Sequence, residues 1–339
     1  MTQLSYSKII GTGGIGTGVL FLMDGDRTLE RSESRQAVLS GARDYCKQHI
    51  ILHYIAKTLS GYAKVYAIGM VGSDAQGKRV KEEMSEAGID TAMVVETEQY
   101  PTMYSVCLQY PDNTACNVTA RNSACALVNE AFIDEQINRN GIQIDPKTII
   151  LAAPEVSVAA RLHLLRMGKK NGALCVASLV VDEAESFIEG GGLQLTDLLA
   201  LNEAEAKAVA GVDTDDDEVA IEQCYAKVAA VNPDIHIVIT RGSQGSYSYH
   251  RGVVEFIAPI DAEVVSTAGA GDAYLSGVTC GFAIGLPFQH RQPDDLRSTD
   301  LGNFFATESV KSIHSISDTF GQETVREYLQ ERGGAAYGI

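Results

Sequence analysis

The chain has 339 residues, 45% of them apolar and 21% charged. That suits one large domain or two, and excludes a disordered, collagen-like or coiled-coil chain. Its 32 glycines argue against a helical bundle. Acidic residues outnumber basic ones by 44 to 27, a net charge of -17 that repels phosphate backbones and makes nucleic acid a poor partner. A local nest of backbone N–H groups could still hold an anionic cofactor. With no run of about 18 apolar residues and no signal-peptide pattern at the N-terminus, the expectation is a cytoplasmic protein that spans no membrane. Seven cysteines, an odd number without C-x-x-C, fit small core residues in a reducing compartment.

The first apolar runs, 7–15 and 18–24, read as strands. Residues 43–59 carry helical periodicity. Residues 63–72 form a strand, and 74–89 an amphipathic helix that Asp74 can cap and Gly88 can end. Residues 91–99 and 101–120 read as strands, with a turn at Pro111-Asp112-Asn113. From about 122 an alternation sets in: strand at 147–154, helix at 158–172, strand at 173–181, then strand into helix at 196–211. A helix at 219–231, a strand at 235–245, a hairpin at 246–258 and a helix from 269 follow. Two more helices are expected at about 300–315 and 323–332. The acidic run 213–218 reads as a solvated helix start. Such alternation predicts an α/β fold, a doubly wound and mostly parallel sheet flanked by helices, in one domain over 1–339. The β-rich patches at about 15–38 and 91–121 interrupt it and are expected to form a small second sheet.

Several motifs could carry chemistry. Gly11-Thr-Gly13-Gly-Ile-Gly16 matches G-x-G-x-x-G after a strand, but a strand follows where a dinucleotide fingerprint needs a helix. His49 and His53 share a helical face without the glutamate of a zinc-protease helix, so core histidines are the simpler reading. The segment Ser266-Thr267-Ala-Gly269-Ala270-Gly271-Asp272 opens an apolar helix, and its small residues leave free N–H groups where an anion can bind. By itself Asp272 reads equally as a reactive carboxylate or as a helix cap. Thr240-Arg-Gly242-Ser-Gln-Gly245 and Asn202-Glu203-Ala-Glu205 each follow a strand, where a doubly wound sheet binds ligands.

The ordered set N-x-x-E, T-x-G-x-x-G and G-A-G-D resembles the ribokinase-like (PfkB-type) carbohydrate kinase family, over about residues 8–315. The stretch 63–90 is similar to the family's strand–G-x-V-G-x-D-x-x-G–helix. The resemblance implies a ribokinase-like fold with a small β-sheet lid and an ATP- and Mg2+-dependent transfer to a hydroxyl of a sugar, sugar acid or nucleoside. It implies that Asp272 is the general base and that Gly269, Ala270 and Gly271 form the anion hole. Asn202 and Glu205 would organise Mg2+, often through water. Asn202, Thr240, Gly242, Gly245 and Thr267 would meet the nucleotide. Ser266 stands where the family usually has Asp, which leaves monovalent-cation activation open. Gly16 stands at the family's sugar-binding Asp, and the Gly-Gly…Asn signature is poorly matched at residues 40–45. Gly16, Gly41, Asp44 and Asn117 are the candidate acceptor contacts, with Asp24, Asp26 and Arg43 as further lid candidates. The lid could also pair with a second subunit to make a homodimer. The lost acceptor motifs leave a non-catalytic sugar or nucleotide sensor as the alternative, ahead of a dehydrogenase using Gly11 to Gly16.

Overall fold

A computed structural model describes residues 4–112, 114–290, 292, 295–333, 337 and 339. In chain order its first elements are β1 (Lys8–Thr12), β2 (Gly16–Met23), β3 (Ala37–Leu39), β4 (Asp44–Tyr45), α1 (Lys47–Thr58), β5 (Lys64–Gly72), α2 (Ala75–Glu86), β6 (Ile89–Thr97), β7 (Met103–Gln109) and β8 (Ala115–Thr119). There follow α3 (Glu130–Arg139), β9 (Thr148–Ala152), α4 (Val158–Lys170), β10 (Leu174–Ser178), α5 (Ala184–Glu189), α6 (Gly192–Leu195), β11 (Leu198–Asn202), α7 (Glu203–Ala210) and α8 (Asp217–Val231). The chain then forms β12 (His236–Thr240), β13 (Ser246–His250), β14 (Val253–Ile257), α9 (Ala270–Ile284), α10 (Ser298–Val310) and α11 (Gln322–Glu331).

Nine strands make the main sheet, in the order β14-β13-β12-β11-β10-β9-β1-β5-β6. It is parallel from β12 through β6, and only β13 and β14 run antiparallel. The apolar runs explain the arrangement. Every residue of β9 (TIILA) is buried, as a strand covered by helices on both faces requires. Two large apolar clusters occupy the two faces. One packs α1, α9, α10 and α11 against the sheet; the other packs α3, α4, α7 and α8. The chain starts at β1, extends to β5 and β6 on one side, then returns to β9 on the other. The order therefore reverses beside β1, the place where open α/β sheets bind ligands.

The second sheet runs β3-β2-β7-β8, with β4 also paired to β2. Its centre is the parallel pair β2 and β7, joined from Gly16↔Met103 to Leu22↔Gln109. Both expected β-rich patches thus meet in one small sheet. The first part of the second patch, 91–97, instead belongs to β6 at the edge of the main sheet beside β5. The apolar Met93 and Val94 are buried at that edge, and the chain reaches the small sheet only after Pro101. Asp74 caps α2, accepting from the N–H of Gly77 at 2.8 Å, and also takes the N–H of Thr102 at 2.8 Å. One carboxylate thereby fixes both the helix start and the entry to the small sheet.

Three expectations shift. The helix expected from 43 starts at Lys47, because Asp44 and Tyr45 pair with β2 first. The stretch 253–265, which leads to the Ser266 motif and is strand-like by its apolar residues, is strand only through Ile257. The helix α3 was not anticipated from its polar sequence, although Asn129 caps it by accepting from the N–H of Phe132. Asn113 of the expected turn lies outside the described residues. Among the described residues, no helix is long and apolar enough to cross a membrane.

Candidate active site

Residues that follow β9, that start α7 after β11 and that start α9 meet at Lys47, the first residue of α1, which follows β4 of the small sheet. Helix α9 opens on Gly269, whose φ of +78° no ordinary side chain holds easily. A Cβ there would lie 2.5 Å from the carbonyl oxygen of Ser315. Nothing stands within 4 Å of a Cβ built on Gly271. No side chain caps the helix, so apart from that of Ala270, which donates to the carbonyl of Thr267, its first N–H groups are left for a ligand. The N-cap is Gly269, which removes the reading of Asp272 as a plain cap.

Asp272 sits in the first turn of α9, 12% exposed, with Oδ1 3.9 Å from Nζ of Lys47. Burial pushes its carboxyl up to about 6; Lys47 works against that shift, and Glu205 and Asp44 add to it. A carboxylate balanced near neutral pH suits a general base.

Asn202 and Glu205 form a capping box at the start of α7: the N–H of Glu205 donates to Asn202 Oδ1 at 2.9 Å, and that of Asn202 donates to Glu205 Oε2 at 2.8 Å. The other carboxylate oxygen of Glu205 faces Lys47 Nζ at 3.5 Å. Among the described residues no group of three acidic, histidine or cysteine side chains could cage a metal. Both Glu205 oxygens are engaged, Oε2 by the N–H of Asn202 and Oε1 by Lys47, so the pair would meet Mg2+ through the waters that this ion keeps rather than directly.

At the end of β12 the Thr240 motif makes a tight turn. Gly242 (φ +53°) and Gly245 (φ +87°) are both left-handed, and a Cβ on Gly245 would meet the carbonyl of Ile257 at 2.4 Å. Arg241 points away from a ligand role: its Nε pairs with Glu203 at 2.7 Å. Thr267 supplies the carbonyl that accepts from the N–H of Ala270 at 3.2 Å.

The candidate acceptor residues divide. Asp44 joins the site: it is half-buried, 3.4 Å from Ser105 Oγ, and burial raises its carboxyl. Gly16 has a packing reason instead, since a Cβ there would lie 2.3 Å from the carbonyl of Met103. Gly41 is exposed, with nothing within 4 Å of a built Cβ. Asn117 is exposed on β8 opposite Cys107. Asp24 and Asp26 are exposed between β2 and β3, and Arg43 pairs with Asp318. The structure does not bring these last five residues into the Asp272 cluster.

Two residues of the cluster escaped the sequence reading. Glu155, just after β9, holds φ +76° and accepts from the N–H of Lys47 at 3.3 Å. Burial pushes its carboxyl up to about 7, with Lys47 opposing and Asp272 reinforcing the shift. A strained acidic residue at a strand's carboxyl end is a mark of function. Its signal was a lone acid after Ala-Ala-Pro. Lys47 opens α1; burial disfavours its charge, but Asp272, Glu205 and Glu155 outweigh that and raise its pKa. Its signal was a lysine at the start of a helix of buried apolar residues.

A mostly parallel central sheet flanked by helices, with a second small sheet beside it, is the ribokinase-like fold. The profile of the pfkB family carbohydrate kinases matches residues 51–312, and the chain belongs to that family of phosphotransferases. It is 27% identical to a ribokinase of Haemophilus influenzae over 223 residues, 63% of this chain and 67% of that one. It is 25% identical to a pseudouridine kinase of Escherichia coli over 236 residues, 66% and 69% of the two chains. The fold is similar to that of a Giardia lamblia ribokinase, with TM-score 0.80, 17% identity, and 96% and 99% of the two chains covered. A Cryptococcus neoformans ribokinase in complex with ADP matches with TM-score 0.73, 17% identity, and 95% and 100% covered.

Proposed function

We propose that this chain is an ATP-dependent kinase that transfers the γ-phosphoryl group to a hydroxyl of a sugar, sugar acid or nucleoside. The observation that carries the reading is Asp272: a carboxylate pushed up to about 6, beside the uncapped start of α9 and not used to cap it. The acceptor oxygen forms its bond to phosphorus as its proton passes to Asp272. The bond from phosphorus to the β–γ bridging oxygen breaks, and its electron pair leaves with ADP. The N–H groups of Gly269 and Gly271 stabilise charge on the transferring group, and Ala270, whose own N–H donates to the carbonyl of Thr267, fixes the turn between them. Asn202, Thr240, Gly242, Gly245 and Thr267 face the nucleotide. Glu205 and Asn202 lie where Mg2+ would be held, chiefly through water. Bound there, the ion would neutralise phosphate charge.

Asp44 and Glu155 support an acceptor pocket under the small sheet, which acts as a lid that excludes water. Ser266 is buried, and its Oγ accepts from the N–H of Ala268 at 3.3 Å. Turnover is therefore expected to be indifferent to potassium. Val38, Leu39 and Val118 leave apolar surface on the small sheet, which supports a second copy docking there. Seven unpaired cysteines support a reducing cytoplasm. The poised base speaks against a non-catalytic sensor. The strand after Gly16 speaks against a dehydrogenase.

The test is Asp272→Asn, assayed with a panel of ribose, fructose, myo-inositol, pseudouridine and sugar acids through coupled ADP release. The variant should bind MgADP as the wild type does and lose turnover. Near-normal turnover in the variant would remove Asp272 as the base.

A further inference from the structure

Lys47 is a buried-site lysine whose environment is hard to explain as architecture. It opens α1, where the helix dipole disfavours a cation. A helix start carrying lysine rather than an acid gives up local stability, so something else must hold it there. Its ammonium has two facing carboxylates, Glu205 Oε1 at 3.5 Å and Asp272 Oδ1 at 3.9 Å. Both distances exceed the 2.7–2.9 Å or so of a charge-assisted hydrogen bond. An ammonium carries three donors, and these two loose contacts leave them short of close partners. The side chain is 28% exposed, while Glu205 and Asp272 are only 8% and 12% exposed. The lysine is thus the member of the trio most open to solvent. Its backbone is fixed as well, since its N–H donates to Glu155 and α1 packs against α9 through Ser276 Oγ, which donates to the carbonyl of Ile51 at 3.2 Å.

The start of α9 offers the transferring group backbone dipoles but no charged donor. Of the other cations near these strand ends, Arg241 is engaged by Glu203, and Arg161 by Glu183 and the carbonyls of Ala152 and Ser178. Lys47 is the cation within reach of both Asp272 and the metal-side Glu205. We propose that Lys47 is a further catalytic residue, whose ammonium donates to an oxygen of the transferring phosphoryl group and offsets the charge that builds there. The proposal rests on the kinase reading above. Lys47 neither gains nor loses a proton in the step: the acceptor proton still goes to Asp272, and the electron pair of the breaking bond leaves with ADP. One side-chain donor of this kind is worth about 10²–10³-fold in rate.

The experiment compares wild type, Lys47→Met, Lys47→Arg and Asp272→Asn. Calorimetry measures MgADP binding with and without aluminium fluoride, a mimic of the transferring group that requires no acceptor. Coupled assays measure kcat and KM with the best acceptor of the panel, and MgATP hydrolysis by water. For Lys47→Met we expect MgADP affinity within threefold of wild type and loss of the tightening caused by aluminium fluoride. The rates, both kcat and water hydrolysis, should fall about 10²–10³-fold with acceptor KM little changed. Lys47→Arg should recover part of both. Should Lys47→Met melt early, Lys47→Arg carries the same comparison, with aluminium fluoride tightening expected to be weakened but present. Unchanged aluminium fluoride tightening and turnover in Lys47→Met would overturn the assignment. A rise in acceptor KM at constant kcat would also overturn it, because Lys47 would then hold the acceptor. If Asp272→Asn keeps full turnover, the kinase reading itself fails; if it is inactive while Lys47→Met is normal, only the role of Lys47 fails.

Discussion

The C-terminal strand ends and the N-terminal half of the site are built from different materials. At Gly269, Gly242 and Gly245 the site is backbone: all three hold positive φ angles, and close approaches at Gly269 and Gly245 leave no room for a side chain. Around Asp44, Lys47 and Glu155 it is side chain: Lys47 opens α1 just after Asp44 on β4, and the fold brings Glu155 to it from 108 residues along the chain. A backbone site must keep its residue types in a fixed local order, whereas a side-chain site can be rebuilt around a different acceptor.

The contrast can be tested from its strongest point downward. Asp272→Asn should cut turnover about 10²–10⁴-fold while sparing MgADP affinity, as read by steady-state kinetics and calorimetry. The same substitution should raise thermal stability at pH 8. The folded-state pKa of about 6 lies above the ordinary 3.8, so the folded protein loses stability as pH rises through that window. The loss is complete above about pH 6 and is of order 3 kcal/mol at most. A melting series at pH 5 and pH 8 should show the variant's advantage shrinking in acid. An equal advantage at both pH values would contradict the buried base.

The backbone half should break under the smallest side chain. Gly269→Ala puts a Cβ 2.5 Å from the carbonyl of Ser315 at φ +78°. It should cost about 1–3 kcal/mol and weaken MgADP binding, unlike Asp272→Asn. Gly16→Ala, 2.3 Å from the carbonyl of Met103, should loosen the small sheet and raise acceptor KM with little change in MgADP affinity. If both glycine variants act on the same ligand, the two halves are not separate. Arg241→Ala marks the low end. Its ion pair with Glu203 is worth about 0–1 kcal/mol, and turnover should stay within threefold.

The same division explains what the sequence revealed. The alternation of buried runs such as TIILA with amphipathic helices gave away the parallel sheet, because parallel strands are apolar throughout. The GAGD helix start and the Thr240 turn are contiguous, so they were readable as motifs. Asp44 stands among the candidates read from the sequence, but Lys47 and Glu155 do not. Each is a single charged residue in an apolar stretch, and only the tertiary fold makes them neighbours. Gly16 failed for the opposite reason. Its position attracts attention as a missing contact, yet its role is to let β2 approach β7. The strand at 91–97 was misassigned to the small sheet because strand periodicity says nothing about which sheet a strand joins.

Ser315 ties the two halves together. Its N–H donates to the carbonyl of Arg43 at 3.1 Å, its Oγ accepts from the N–H of Tyr45 at 3.2 Å, and its own carbonyl sits against Gly269. One residue therefore grips the root of the small sheet with one hand and the pivot of the anion loop with the other. Under the proposed kinase reading, a closure that shifted β4 would also press on the loop proposed to receive phosphate, and acceptor and nucleotide binding would then be thermodynamically linked. Linkage of this kind is reciprocal: whatever factor a bound acceptor applies to nucleotide affinity, the nucleotide applies to acceptor affinity.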